Sequence, residues 1–212
     1  MTKVADQQEL KIRRYTDDLQ RRLIEGSLSF SELKKVVGPL IGQFYKPFPQ
    51  ETSHLRLIGE TTISSTKAGK GMDQDNKHPF NRVDEDFDNW DAQTVSKDTE
   101  EAKAYVYEQI KNGTYANIFG SLNKDLDVLE FKTHEQIKDF VKNSSELLHP
   151  KGYATHFLYK NKSGKRFVAR VGRDSDGDLD VDVYELSDGR VWGADGAFRF
   201  VILATKTLGT QS

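Results

Sequence analysis

The chain has 212 residues, of which 36% are hydrophobic and 30% are charged, and 31 basic against 33 acidic residues leave a net charge of −2. A balance this close to neutrality lacks the basic footprint of a dedicated nucleic-acid binder. The absence of cysteine excludes disulfides, cysteine-ligated zinc, iron–sulfur clusters and thiol nucleophiles. No stretch approaches the roughly 18 apolar residues of a membrane span, and we therefore expect a soluble, cytoplasmic protein.

Two amphipathic helices are predicted at the amino terminus. Apolar residues recur at helical spacing over residues 6–25, and Gly26 is placed to end that helix. A capping box then opens a second, short helix over residues 30–37. We therefore predict a helical hairpin over residues 1–43, followed by an α+β domain over residues 44–212.

The next segments predict one strand and then a long polar region. Residues Leu55–Ile63 have the composition of a strand. From 64 to 99 the chain is polar and carries the acidic run 84–91, in which Phe87 and Trp90 stand three apart. That spacing predicts one or two helical turns with both aromatic side chains packed inward.

Several motifs of well-known chemistry do not occur in this sequence. The glycine-rich stretch at residues 68–71 lacks the G-x-x-x-x-G-K-[ST] spacing of a phosphate-binding loop. The five histidines show no metal-ligand spacing, and no serine stands in a G-x-S-x-G turn. Catalysis by any of these routes is therefore not expected.

A strand and two helices are predicted in the middle of the chain. Residues 102–110 fit either a helix or a strand, and their β-formers favour a strand. A short helix capped by Thr114 follows. Thr133 and Gln136 form the pattern of a capping box for a longer helix over residues 134–148. We expect this longer helix to cover the sheet, since its apolar residues fall on one face.

Four runs of alternating apolar and polar residues predict a four-stranded antiparallel meander covered by helices, which makes the fold class α+β. The runs are residues 154–161, 165–173, 178–186 and 197–206. The hydrophobic pattern predicts a register that pairs Val171 with Leu179 and sets Arg170 across from Asp180. The last run is apolar on both faces, and we therefore expect it to be a central or covered strand.

Several blocks of the sequence recur together in one known group. They are IGETTI, DFDNW, YANIFGSLNKDL, THEQIKDFV, LLHPKGYATHFLYK, RFVARV and SDGRVWGAD. In these blocks and their order, the chain resembles a group of uncharacterised hypothetical proteins from candidate-phylum bacteria. The resemblance implies that residues 55–203 form one folding unit. It implies no activity, since the shared positions are aromatic and glycine residues of structural type.

The acidic loop and strand at residues 174–185 form the candidate metal site. Oxygen ligands stand at positions 1, 3, 5, 9 and 12 of a calcium-type loop. They are Asp174, Asp176, Asp178, Asp182 and Glu185. Leu179 replaces the glycine that permits the sharp turn at position 6, and strands are expected on both sides of the loop. The alternative is therefore an acidic hairpin loop with at most weak calcium binding, and no other cofactor is predicted.

An aromatic patch is the candidate partner-binding surface. Trp192, Tyr159 and Tyr184 are expected on the sheet, where aromatic side chains often contact partners, although a lone tryptophan beside a glycine more often packs as core. We therefore predict a non-enzymatic protein that binds an unknown ligand or protein partner, and neither nucleic acid nor a membrane. The alternative is a hydrolase that uses calcium or magnesium and the acidic clusters 84–91 and 174–182.

Overall fold

One seven-stranded sheet organises the part of the chain that the computed structural model describes, residues 49, 51–73, 77–150 and 152–204. The strands are β1 (Leu55–Ile63), β2 (Arg82–Val83), β3 (Ala102–Gln109), β4 (Thr155–Lys160), β5 (Arg166–Arg173), β6 (Leu179–Glu185) and β7 (Arg199–Ala204). Their spatial order is β1-β3-β7-β4-β5-β6-β2. The helical hairpin predicted over residues 1–43 lies outside the described residues, and its boundary stays a prediction.

Three α-helices and three short 3₁₀ turns complete the regular structure of the described residues. The α-helices are α1 (Asp86–Asn89), α2 (Tyr115–Leu122) and α3 (His134–Asn143). The 3₁₀ turns are Leu126–Val128, Ser145–Leu147 and Ala194–Gly196. Helices and one sheet are therefore combined, as in an α+β protein, and α2 and α3 begin directly after the threonines that predict them.

The predicted four-stranded antiparallel meander is wrong, because the sheet has seven strands and is mixed. Strands β4, β5 and β6 form consecutive antiparallel pairs, but β7 pairs in parallel with β4 and antiparallel with β3. Phe200, Val201, Ile202 and Leu203 of β7 are all at most 1% exposed. A strand that is apolar on both faces buries more surface at a central position than at the edge beside β6, whose outward face carries aspartates.

The register between β5 and β6 differs from the predicted one by two residues. Val171 pairs with Val181 instead of Leu179. A shift of two keeps every side chain on its predicted face, since side chains alternate with period two along a strand. Arg170 consequently lies across from Asp182, and its Nη1 donates to Asp182 Oδ2 at 2.7 Å.

The loop that joins β5 to β6 explains this shift. Asp174 Oδ1 accepts hydrogen bonds from the backbone N–H groups of Asp176 (3.0 Å) and Asp178 (2.9 Å). The Asp174 N–H donates to the Asp178 carbonyl, and Gly177 takes a positive φ of 91°. These local bonds form the loop over residues 174–178, one residue later than the hydrophobic pattern alone predicts.

Different helices cover the two faces of the sheet. On one face α3 packs over a core of mainly aliphatic side chains, and its Phe140 ring lies 5.3 Å from the ring of Phe157. The prediction that this helix covers the sheet is therefore confirmed. On the opposite face α2 packs Tyr115 and Phe119 against Phe200.

Two local predictions in the first part of the domain have different outcomes. Strand β1 has the predicted bounds, with a bulge between Leu57 and Gly59. In the acidic run, Phe87 is 1% exposed and packs inward, but Trp90 is 43% exposed. The expectation that both aromatic side chains are buried is wrong for Trp90, because α1 ends at Asn89 and does not turn the next side chain back toward the core.

Candidate functional site

A cleft of about 80 Å³ opens at the amino-terminal end of α3, and it is called the α3 cleft below. Its walls come from two extended segments, residues 69–71 and 93–97. Residues 133–135, which start α3, and Lys162, from the turn between β4 and β5, complete the lining. The cleft is therefore assembled from four separate parts of the sequence.

Beside the cleft, the two walls are joined mainly by hydrogen bonds from side chains and not by a ladder of backbone hydrogen bonds. Ser96 Oγ donates to the Gly69 carbonyl at 2.7 Å. Gln93 Oε1 accepts from the Met72 N–H at 3.0 Å, and Gln93 Nε2 donates back to the Met72 carbonyl. Because these side chains stand between the two backbones, the walls are held apart and a gap remains between them.

The start of α3 does not have the capping box that the sequence predicts. Thr133 occupies the N-cap position but makes no side-chain capping bond, and its buried Oγ1 has no hydrogen-bond partner among the described residues. The His134 N–H donates instead to Thr94 Oγ1 at 3.0 Å, and Gln136 Oε1 accepts from the Lys132 N–H at 2.9 Å. Since an α-helix leaves its first N–H groups without partners inside the helix, the start of α3 keeps donors that Thr133 does not satisfy.

His134 is fully buried beside the cleft and is held in its neutral form. Its Nδ1 lies 3.2 Å from the Met72 nitrogen and 3.2 Å from Gln93 Oε1, so that it either accepts from the Met72 N–H or donates to Gln93. That Nε2 has no hydrogen-bond partner among the described residues. Burial, reinforced by the positive charges of Lys138 and Lys162, lowers the pKa of His134 to about 3. The ring therefore adds no positive charge to the cleft at neutral pH.

The charged side chains of the α3 cleft are mostly basic. Lys70, Lys97 and Lys162 are exposed, and none of them forms an ion pair within the part of the chain that the structure describes. Glu135 is the acidic member of the lining, and its Oε1 accepts from the Gly71 N–H at 3.3 Å and lies 3.5 Å from Lys138 Nζ. The cleft therefore combines uncompensated positive charge with hydrogen-bond donors, which is the composition of an anion site.

Of the three predicted calcium ligands in the β5–β6 loop, Asp174 is engaged in forming the loop itself. Asp174 Oδ1 is occupied by two backbone N–H groups, as described above. Asp176 and Asp178 are exposed. The carboxylate at the first ligand position therefore has a structural role in the turn, which does not depend on a metal.

The two remaining predicted ligands lie on strand β6 and pair with basic side chains. Asp182 Oδ1 accepts from Arg82 Nη2 at 2.8 Å and its Oδ2 from Arg170. Glu185 pairs with Lys165, and its odd position puts it on the opposite side of the strand from Asp182. Nowhere in the described ranges do three or more His, Asp or Glu side chains gather as metal ligands would.

The three predicted partner-binding aromatic residues do not share one surface. Tyr159 is fully buried on the α3 face, where its ring lies 4.7 Å from His134. Trp192 is 8% exposed on the opposite face, 5.0 Å from the ring of Tyr115. Tyr184 lies 5.7 Å from Trp192 and lines a shallow surface groove. Only Tyr184 therefore reaches an accessible surface.

Sequence reasoning did not identify the residues of the α3 cleft. The glycine-rich stretch at residues 68–71 was set aside because it lacks the spacing of a phosphate-binding loop, yet Lys70 and its flanking glycines line this cleft. Lys97 and Lys162 carried no local signal, and Thr133 was interpreted only as a cap. The available signal was the combination of a glycine-flanked lysine with a predicted helix start elsewhere in the chain.

Within the described residues, no helix combines the length and the apolar character needed to cross a bilayer. Comparisons with protein-family models, with curated proteins and with solved structures found nothing that matches this chain.

Proposed function

We propose that this domain is a non-enzymatic binding module whose α3 cleft takes an anionic group. The main support is the start of α3, where the Thr133 hydroxyl is buried without a partner although its residue type and position suit a helix cap. Buried polar groups in folded proteins are nearly always paired, and each exception calls for an explanation, of which a ligand contact is one. Rotation of the Thr133 side chain about χ1 would turn this hydroxyl to an anion in the cleft, which would accept its hydrogen bond.

The electrostatics of the cleft supply the second part of the interaction. Three exposed lysines, Lys70, Lys97 and Lys162, line the same opening as the positive end of the α3 dipole. Hydrogen bonds to a charged group contribute about 1.5 to 3 kcal/mol each, roughly twice the value for neutral partners. Two or three such bonds are sufficient for binding in the millimolar to micromolar range.

No observation favours the metal-dependent hydrolase over this proposal. Strand β2 brings the beginning of the acidic run 84–91 next to β6, since the Asp84 N–H donates to the Val181 carbonyl. The carboxylate of Asp182 nevertheless pairs with arginines and does not converge with the acidic run. The hydrolase alternative stays a prediction.

Isothermal titration calorimetry with sodium sulfate and with sodium phosphate tests the proposal. The decisive variant replaces Lys70, Lys97 and Lys162 by glutamine, which removes the charge and keeps a polar side chain of similar size. We expect at least a tenfold loss of affinity, because each lysine contributes a charge-assisted contact. Ionic strength is held constant with chloride, since salt screens exposed charges.

A matched control separates the site from general charge effects. It carries Lys77→Gln, Lys111→Gln and Lys124→Gln, which are exposed lysines outside the cleft. Both triple variants change the formal net charge from −2 to −5, since each removes three positive charges. Equal loss of affinity in both variants, or no anion binding by the unmodified protein, would reject the α3 cleft as an anion site.

A further inference from the structure

The side chains that line the α3 cleft carry more positive charge than one monovalent anion would neutralise. Three lysines and one glutamate line it, and Lys138 lies 3.5 Å from the glutamate, Glu135. The side chains of the lining alone leave an excess of two positive charges, which matches a dianion.

The size of the cleft limits the ligand to one compact group. Its volume of about 80 Å³ leaves room for only a few water molecules. Pockets for whole drug-sized ligands have volumes of about 300 to 1,000 Å³. A single tetrahedral anion therefore fits, and the rest of a larger ligand lies outside. Val95, which lines the cleft and is 47% exposed, provides an apolar contact at this rim.

The donors of the cleft are distributed around it, and a planar group does not use them all. The ammonium groups belong to both walls and to the β4–β5 turn, whereas the Thr133 hydroxyl lies at the helix start. A carboxylate offers two oxygens in one plane and one negative charge. A phosphate monoester offers three terminal oxygens in a tetrahedral arrangement and close to two negative charges at neutral pH.

Resting on the anion site proposed above, we infer that the group taken by the α3 cleft is the dianionic phosphoryl group of a phosphate monoester. The second acid dissociation of a phosphate monoester has a pKa of about 6. Affinity should therefore follow the dianion and fall about tenfold between pH 7 and pH 5. Inorganic sulfate has the same shape and charge but does not titrate in this range, and it reports any change in the protein itself.

The test is calorimetry of the full chain at pH 5, 6 and 7 with four probes. They are inorganic sulfate and three amino acids blocked at both ends, namely phosphoserine, aspartate and serine. We expect sulfate to bind with the same affinity at each pH, and phosphoserine to bind about tenfold more weakly at pH 5 than at pH 7. At pH 7, aspartate should bind at least tenfold more weakly than phosphoserine. Serine should not bind.

The outcomes separate this inference from the proposed function. The inferred preference for a dianion is wrong if aspartate binds as tightly as phosphoserine. It is also wrong if the affinities for phosphoserine and for sulfate are both independent of pH. In either case the anion site itself remains. If sulfate binds and phosphoserine does not, the cleft accepts only free inorganic anions and the monoester inference fails. If no probe binds, the proposed function fails as well.

Discussion

Helices α2 and α3 both begin directly after a threonine, but the two threonines make different contacts. Thr114 Oγ1 accepts from the Asn117 N–H at 3.3 Å, three residues into α2, as an N-cap threonine normally does. Thr133 stands at the same position of α3 and makes no such bond, although it is only 2% exposed. The start of α2 is therefore complete within its own helix, and the start of α3 is not.

This difference shows that a capping residue type does not by itself produce a cap. A buried hydroxyl without a partner costs about 1 to 3 kcal/mol, and folded proteins keep few such groups. The exposed lysines that line the same cleft have no ion-pair partner among the described residues. Local costs of this kind collect at functional positions, where a ligand offsets them.

The largest expected effect follows from pH, because a buried histidine lies beside each helix start. Burial, with a smaller contribution from nearby lysines, lowers the pKa of His134 to about 3. His156 accepts or donates a hydrogen bond with Tyr115 at 3.0 Å, and its burial lowers its pKa well below the ordinary value. In the unfolded chain both rings titrate near 6.5. Below that pH the unfolded chain binds protons that the folded protein excludes, and stability is lost as the pH falls.

Each histidine should remove about 1.4 kcal/mol of unfolding free energy per pH unit below its unfolded pKa. Urea unfolding at a series of pH values should therefore show a loss of roughly 3.5 kcal/mol between pH 6.5 and pH 3.5 from His134, and a further loss from His156. NMR titration provides the check, and an imidazole of His134 or His156 that titrates above pH 5 in the folded protein contradicts the prediction. Saturating sulfate should raise the pKa of His134 and leave that of His156 unchanged.

The second effect tests whether α2 and α3 are packed against the sheet equally well beyond their first turns. Phe119 of α2 and Phe140 of α3 are both at most 1% exposed. Replacing either by alanine should reduce the unfolding free energy by about 3 to 5 kcal/mol, through lost burial and the cavity left behind. Urea unfolding measures both variants. A loss below about 1 kcal/mol in one of them would mean that this helix is poorly packed, and the contrast would then extend beyond the helix starts.

The third effect tests the contrast directly. Thr114→Ala should cost about 1 kcal/mol of stability, since it removes a working cap. Thr133→Ala should cost close to nothing or stabilise the protein, because it removes a buried hydroxyl that has no partner. Sulfate affinity should fall only in Thr133→Ala and be restored in Thr133→Ser. Equal destabilisation by the two alanine variants, with unchanged sulfate affinity, would remove the difference between the starts.

The smallest effect concerns the interior of α2. Gly120 lies within this helix, and a Cβ added there meets no atom within 4 Å. Gly120→Ala should therefore stabilise the protein by about 0.5 to 1 kcal/mol, because glycine loses more backbone freedom in a helix than alanine does. The gain in melting experiments should be the same with and without sulfate. A gain that depends on sulfate would mean that α2 is coupled to the α3 cleft.

The strands and helices could be predicted because their signals are local. β1 has its predicted bounds, and β4, β5 and β6 lie within the predicted runs, since alternation along a few residues is enough to define a strand. The two apolar faces of β7 also predicted its interior position. The order of the strands could not be predicted, because the pattern of residues along one strand does not determine which other strand pairs with it.

The β5–β6 register shows the same limit within a single hairpin. The hydrophobic pattern allows any shift of two residues, since such a shift leaves every side chain on its face. The choice between pairing Val171 with Leu179 or with Val181 was made by backbone hydrogen bonds to Asp174. Those bonds depend on the geometry of the turn, which the alternation of side chains does not contain.

The residues of the α3 cleft were visible in the sequence, but their relation was not. Composition alone excluded cysteine chemistry, and local pattern placed Thr133 at the start of a helix. Only tertiary structure brings Lys70, Lys97 and Lys162 to that helix start and turns the Thr133 hydroxyl away from its capping bond. The physical reason is the separation of the residues along the sequence. Periodicity and capping act over a few residues, whereas the side chains of the α3 cleft lie up to 92 positions apart (70 to 162) and come together only in the folded protein.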